Sequence, residues 1–323
     1  MTETTRQLEA AARASLHAPS VFNTQPWRWL ITGDTMELSA DTARQLGTVD
    51  PDGRLLLLSC GAALHHARTA LAAAGRAVSV DRLPDPARPD LLARIRLGAH
   101  IPADPEAQRM AAAIPRRRTD RRAFGQRQVS DEMLTRLRRF VEFEGAYLHV
   151  VRRDQMPMLA ISVSRAGDTE LDDPAYRDEL YRWTHRPQGS GDGVPASTAV
   201  QPGARRVPVR DFAPEGAAGL PAGEGFDQGA AYVVLFGTND TRLDLLRGGE
   251  AMSALLLLAT AEGLATAPLS DTIEVQWPKH LLTGLLADVG EPYLVVRLGY
   301  RASREPLPPA PRRNPADTIT IEA

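Results

Sequence analysis

The spacing of apolar residues changes period several times along the chain, and each change predicts an element. Ala, Leu and Arg fill a helical stretch from Arg6 to Leu16, which Pro19 closes because a residue before proline avoids helical backbone. Trp27 to Thr32 alternates as a strand does, and Met36 to Ala40 pairs with it across the Thr32-Gly33-Asp34 turn. From Asp52 through Leu55, Leu58, Ala62, His65, Ala70 and Ala74, small and apolar residues keep a helical period until Gly75 supplies a C-cap. Val78 to Val80 and Ala93 to Leu97 are strands, split by the turn at Pro84 to Pro89, and a short helix ends at Ile114.

Beyond the basic stretch Pro115 to Arg122, Ser130 N-caps an amphipathic helix, Tyr147 to Val151 is a strand, and one helix runs from about Arg153 to Trp183. The pattern then fails. Thr184 to Gly229 is dense in Gly and Pro, far longer than the roughly 4–6 residues of an ordinary connection, and marks a lid, a binding loop or a disordered insertion. An apolar strand (Ala231 to Gly237), a long buried helix (Arg242 to Gly263), a short helix (Lys279 to Leu286) and a closing strand (Tyr293 to Gly299) follow, then an extended proline-rich tail. The stretches Ser59 to Gly75 and Gly249 to Gly263 both begin with small residues, carry a Leu/Ala face and end on Gly, which points to a duplicated unit.

At 323 residues the chain has room for one large domain or two modest ones. A net charge of −2 gives no basic field for nucleic acid, and Lys279 is the only lysine, so arginine abundance by itself carries no functional meaning. A single Cys60 excludes an intrachain disulfide, and with no signal-peptide pattern a cytoplasmic location is expected. The run from Ala251 to Leu269, broken by Glu262 and Gly263, is too short and polar for a membrane span.

The most informative segment is Ala18-Pro19-Ser20-Val21-Phe22-Asn23-Thr24-Gln25-Pro26-Trp27. Two prolines fix its backbone, and Ser20, Asn23 and Gln25 offer polar groups suited to the edge of a heterocycle, or to capping a rigid helix-to-strand turn. Arg117-Arg118-Thr119-Asp120-Arg121-Arg122-Ala123-Phe124 is the second candidate, since guanidinium forks match a phosphate.

The first segment resembles the APSxxNxQPW signature of FMN-dependent nitroreductases, and the second is similar to their RRSxRxF element. The resemblance implies that Pro19, Ser20, Val21, Asn23 and Gln25 lie along an isoalloxazine, and that Arg117, Arg118, Thr119 and Arg121 grip the FMN phosphate and ribityl chain. Leu264 to Ser270 is similar to the family's loop beside flavin N5, placing Pro268, Leu269 and Ser270 there without the acidic residue the family often carries nearby. Arg312 and Arg313 resemble a terminal basic pair that closes over the phosphate.

In an ordinary subunit of that family the arginine element precedes APSxxNxQPW, and a homodimer builds two sites. Here the order is reversed and each half carries only one half-set. The resemblance, with Tyr181-Arg182-Trp183-Thr184 running into Gly191-Asp192-Gly193, is to the Acg-type branch. It implies an α+β nitroreductase fold of two tandem half-units, 1–113 and 114–323, each with a mixed or antiparallel sheet flanked by helices, forming a monomeric pseudo-dimer with a lid at about 184–229. One FMN per chain is expected, with NAD(P)H as a possible reductant and a nitro or quinone compound as acceptor. Flavin N5 would carry the chemistry and no side chain need be catalytic. The alternative is a flavin-sequestering protein whose lid excludes substrates.

Other patterns carry no chemistry. Gly223 to Gly229 precedes a strand instead of following one, as a dinucleotide loop must not. His65 and His66 point apart on a helix with no metal-binding partners, and Cys60 sits in an apolar run.

Overall fold

The computed structural model describes residues 2–322. Helix α1 (Glu3–Ser15), capped by the Thr2 hydroxyl, leads into β1 (Trp27–Thr32), β2 (Thr35–Ala40), α2 (Arg54–Ala73), β3 (Arg76–Arg82) and β4 (Leu91–His100). After α3 (Pro105–Ala113) the same order returns with additions: α4 (Asp131–Phe143), β5 (Tyr147–Val150), α5 (Met156–Asp172), α6 (Pro174–Thr184), β6 (Ala231–Gly237), α7 (Arg242–Ala261), β7 (Ala265–Leu269), α8 (Asp271–Glu274), α9 (Gln276–Leu285) and β8 (Glu291–Gly299). A last strand, β9 (Ile319–Glu322), closes the described chain.

One sheet has the order β3-β4-β2-β1-β9 and the other β5-β6-β8-β7. Taken from the strand after each long helix, β3-β4-β2-β1 and β7-β8-β6-β5 are one topology, antiparallel throughout. The protein is therefore α+β, with two tandem units of helix, hairpin, long helix, hairpin. In the second unit α5, α6 and the irregular segment separate β5 from β6, and α8 and α9 separate β7 from β8. Strand β9 crosses over to pair in parallel with β1, which makes the first sheet mixed.

The units meet through α2 and α7. A Cβ on Gly61 would collide with the Leu246 carbonyl, and one on Gly249 with the Leu58 carbonyl, so the two backbones touch where only glycine fits. These contacts are reciprocal, as across a twofold axis. Apolar side chains of both helices fill one continuous core with Trp27, Trp29 and Val296 from the sheets.

Three expectations need correction. The helix expected from Arg153 to Trp183 is two helices, because Pro174 cannot continue one; Asp173 ends α5 and caps α6 by accepting from the Ala175 amide. The stretch expected as a loop at Leu264 to Ser270 is mostly strand β7, whose edge position tolerates Pro268. The tail is not merely extended but ends in β9. The irregular segment is packed: Val194, Ala199, Val207 and Phe212 are buried in it. No described helix is long and apolar enough to cross a membrane.

Candidate functional site

The site begins where the two units differ. Helix α4 reaches β5 through Glu144, Gly145 and Ala146 alone, whereas Pro19 to Pro26 intervene between α1 and β1. Phe22, Asn23 and Gln25 there have φ of 44°, 55° and 50°. Left-handed backbone costs a non-glycine residue about 1 kcal/mol or more, so three in one turn must be held by their surroundings. They are. The Gln25 amide donates to Ser20 Oγ at 2.9 Å and the Val21 amide to Ser59 Oγ at 3.3 Å. Asn23 Nδ2 donates to the carbonyls of Gly193 (3.1 Å) and Pro311 (3.0 Å), while its Oδ1 accepts from Arg312 Nη1 at 3.0 Å. Gln25 Nε2 donates to the Gly191 carbonyl at 2.8 Å, and its Oε1 accepts from the Arg313 amide at 3.0 Å. One turn thus fastens both the start of the irregular segment and the C-terminal tail. At Gly191, φ is 72° and a Cβ would strike the Arg312 carbonyl, so this crossing needs glycine.

The arginine segment lies along the free edge of β7. Thr119 bridges to Thr266 in parallel, and the Asp120 amide donates to the Thr266 carbonyl at 2.9 Å. Buried Arg297 of β8 supports it, donating from Nη2 to the Asp120 (2.8 Å) and Arg122 (2.9 Å) carbonyls and from Nη1 to Asp227 (2.7 Å). Arg117, Arg118, Thr119 and Arg121 line the cavity, while Arg122 turns away to pair with Asp120.

Two adjoining chambers result. The first, of about 730 Å³ including open solvent, is an apolar slot walled by Val21, Phe22, Leu55, Leu58, Met252 and Leu269, with Pro268 and Ser270 at the end of β7. The second, of about 650 Å³ including open solvent, carries Asn23, Arg117, Arg118 and Arg312. Pro19, Ser20, Thr119 and Arg121 line both. The irregular segment roofs them, with Val209, Arg210 and Phe212 over the first and Gly193, Val194 and Thr198 over the second.

The second chamber is short of negative charge. Arg117 is 3% exposed, and its Nε and Nη1 have no hydrogen-bond partner. Burial, then Arg312 and Arg118, push its pKa down to about 9. Burial and Arg118 bring Arg312 down to about 10, and burial with Arg210 and Arg297 does the same to Arg121. His17 is also lowered, by burial and then by Arg312, Arg118 and Arg117. Buried, unpaired guanidinium groups this close to one another call for an anion. The chemistry fits a ligand with a flat apolar body and a phosphate-like end.

At the corresponding place in the other unit the walls are filled instead. Arg82, at the end of β3 as Ser270 is at the end of β7, donates from Nε to fully buried Glu250 at 2.6 Å. Arg68 Nη1 donates at 2.6 Å to both Glu250 and Glu144. This ion-pair network sits where the second unit lacks its counterpart of Pro19 to Pro26.

Of the residues expected to hold a cofactor, Pro19, Ser20, Val21, Asn23, Arg117, Arg118, Thr119, Arg121, Pro268, Leu269, Ser270 and Arg312 come together around the chambers. Gln25 and Arg313 do not line them. Gln25 is spent on fastening, and Arg313 donates to the Gln25 carbonyl at 3.0 Å and stands 3.5 Å from Asp41, shaping the tail. An acid does stand beside Ser270: the next residue, Asp271, lines the slot. Arg210 and Phe212 escaped notice because they lie where periodicity fails, although Val207, Val209 and Phe212 form an apolar cluster in an otherwise polar stretch.

No protein-family model matches the chain. A Mycobacterium tuberculosis protein named "Putative NAD(P)H nitroreductase" is 38% identical over 314 residues, covering 94% of this chain and 88% of that protein. A second of that name from the same organism, acg, is 36% identical over 322 residues, covering 98% and 96%. Among solved structures, the FMN-dependent nitroreductase NfnB from Mycobacterium smegmatis, in complex with NADPH, is 17% identical with a TM-score of 0.43, covering 68% of this chain and 100% of that one.

Proposed function

We propose, from the premise that this chain belongs to the nitroreductase superfamily and to its Acg-type branch, that it binds one FMN per chain between its two units and uses it for NAD(P)H-dependent reduction of nitro or quinone compounds. The observation that carries the FMN reading is Arg117: a buried guanidinium with two donors unpaired, beside Arg118 and Arg312, at the charged end of an apolar slot. The ring fits the slot and the phosphate the arginine chamber. When bound, the isoalloxazine accepts a hydride from a nicotinamide and passes it to an acceptor.

The chain's residues bind and orient. Arg117, Arg118 and Arg312 supply charge-assisted hydrogen bonds to the phosphate. Arg121, lining both chambers and lying 4.3 Å over the Phe212 ring, supplies positive potential between ring and phosphate. Phe22 and Phe212, with ring centroids 5.5 Å apart, wall off water. The purified protein should be yellow, with flavin absorbance near one FMN per chain, and anaerobic mixing with NADH or NADPH should bleach it.

One observation favours a second reading, flavin sequestration: the segment over both chambers is fastened at its start by Asn23 and Gln25 and by buried Asp192, which pairs with Arg44 and Arg186. A flavin that light reduces but neither nicotinamide does would support sequestration and sink the reductase reading.

A further inference from the structure

A roofed slot leaves proton supply open. Reducing a quinone to a hydroquinone consumes one hydride, which brings both electrons, and one proton, for which a carboxyl in the chamber is a ready source. The slot's one carboxyl is Asp271, and behind it stands a buried group with more acids than bases. Arg210 Nη2 donates to Glu170 at 3.1 Å and Glu274 at 2.7 Å. Glu274 and Asp271 add negative charge to the surroundings of Glu170, and Glu170 to those of Tyr176. Asp271 and Glu274 stand one turn apart on α8, on neighbouring positions of one face.

Asp271 lines the slot, while Glu274 lines a second cleft together with Asp50, Asp52, Arg54 and Lys279. That cleft holds about 1260 Å³, including open solvent. Glu274 Oε1 is buried without a partner, and so is Arg210 Nη1. Carboxyls thus step from the cleft to the slot, past a pair that one arginine cannot neutralise.

We propose that Asp271 is the proton donor of the chamber and that Glu274 and Glu170 refill it from the cleft. The proposal rests on the reductase reading above. The Asp271 O–H bond breaks as the proton goes to the acceptor oxygen. Its carboxylate then takes a proton from the Glu274–Glu170 pair, which takes one from water in the cleft. The charged groups facing this path agree with a stored proton: burial lifts Asp271 to about 6 against the pull of Arg210, with Glu274 adding to the lift. Burial, then Glu274 and Asp271, outweigh Arg210 and lift Glu170 to about 9. Asp50 is likewise lifted to about 6 by burial, with Glu274 contributing.

The test uses FMN-loaded protein, reduced by light so that no nicotinamide is needed, and then mixed with benzoquinone. Expected are single-turnover rates that fall as pH rises above about 6, because only the protonated acid can donate. In Asp271→Asn the rate at neutral pH should drop on the order of 10²-fold and lose that dependence, with FMN content unchanged, while Asp271→Glu restores part of it. Glu274→Gln, which leaves Asp271 in place, should slow only the turnovers that need refilling. An infrared difference spectrum between dark and light-reduced protein should contain a carboxylic C=O band that shifts in heavy water and vanishes in Asp271→Asn. A wild-type spectrum without that band, or identical pH profiles in wild type and Asp271→Asn, overturns the relay. A colourless protein overturns the reading beneath it and the relay with it, whereas failure of NAD(P)H alone leaves the light-driven experiment decisive.

Discussion

Replacing Arg117 by Met separates holding a ligand from holding the fold. A guanidinium whose pKa is pulled by burial from the ordinary arginine range to about 9 carries a cost of about 5 kcal/mol while charged, as an upper figure. The lowered value fixes the sign. Between the folded and unfolded values the unfolded chain binds the extra proton, so the cost is fully present below about pH 9 and fades only as pH rises toward the ordinary arginine range. At neutral pH the arginine therefore opposes folding of the ligand-free protein. Even if less than half of the figure survives relaxation, Arg117→Met gains about 2 kcal/mol and raises the ligand-free melting point by about 4 °C. The same change removes two unpaired donors. Charge-assisted hydrogen bonds are worth about 1.5–3 kcal/mol each, so FMN affinity should fall about 10²- to 10⁴-fold. Fluorescence titration of FMN and thermal melts with and without it read both quantities. A variant that binds FMN as tightly as wild type, or melts lower without ligand, would show that Arg117 serves the fold, and the argument for an anion site would collapse.

Asn23→Ala removes three hydrogen bonds and leaves Arg312 short of an acceptor. FMN release should quicken by about 10²-fold and the 185–229 segment should become sensitive to protease; unchanged release would show that Asn23 does not fasten the roof. Gly249→Ala forces a collision with the Leu58 carbonyl and should cost more than about 3 kcal/mol by urea unfolding, whereas Gly263→Ala, with φ 79° but open space around it, should cost about 1 kcal/mol. Equal losses at the two sites would contradict the close helix crossing. Glu250→Ala strands Arg82 and leaves Arg68 with Glu144 alone, and should destabilise by about 3–5 kcal/mol while leaving one FMN per chain. A second bound FMN in that variant would mean that the network alone blocks the other site.

Much of this was legible in the residues. Alternation found β1, the Gly33 turn then pointed to β2, and the long apolar periods found α2 and α7 with their shared Gly ending, because burial on one face or all round leaves a repeating mark. The four residues of β9 leave none: all but Ile319 are exposed, and the strand exists because β1 offers it an edge. Pro174 was a legible break, yet the polar helical run on both sides hid it. The arginine element and the Pro19 to Pro26 turn were legible by type but not by job. Nothing in the spacing says that Gln25 spends both ends of its amide on main chain, or that Arg313 turns from the cavity to Asp41. Arg210 and Asp271 were hidden more deeply, since their surroundings are assembled from α5, α6, α8 and the irregular segment, which only the folded chain brings together.

The meeting of Gly61 and Gly249 bears on how such a chain can diverge. Where two identical subunits pair, every substitution is made twice, and one side of the assembly cannot be altered while the other is spared. Covalent linkage lifts that constraint. Here the helix crossing keeps its matched glycines, because a methyl group on either would push both units apart. Farther from the crossing, one flank holds an open slot and the other Glu250 clasped by Arg68 and Arg82. Joining the units end to end lets the seam stay matched while the two flanks beside it differ.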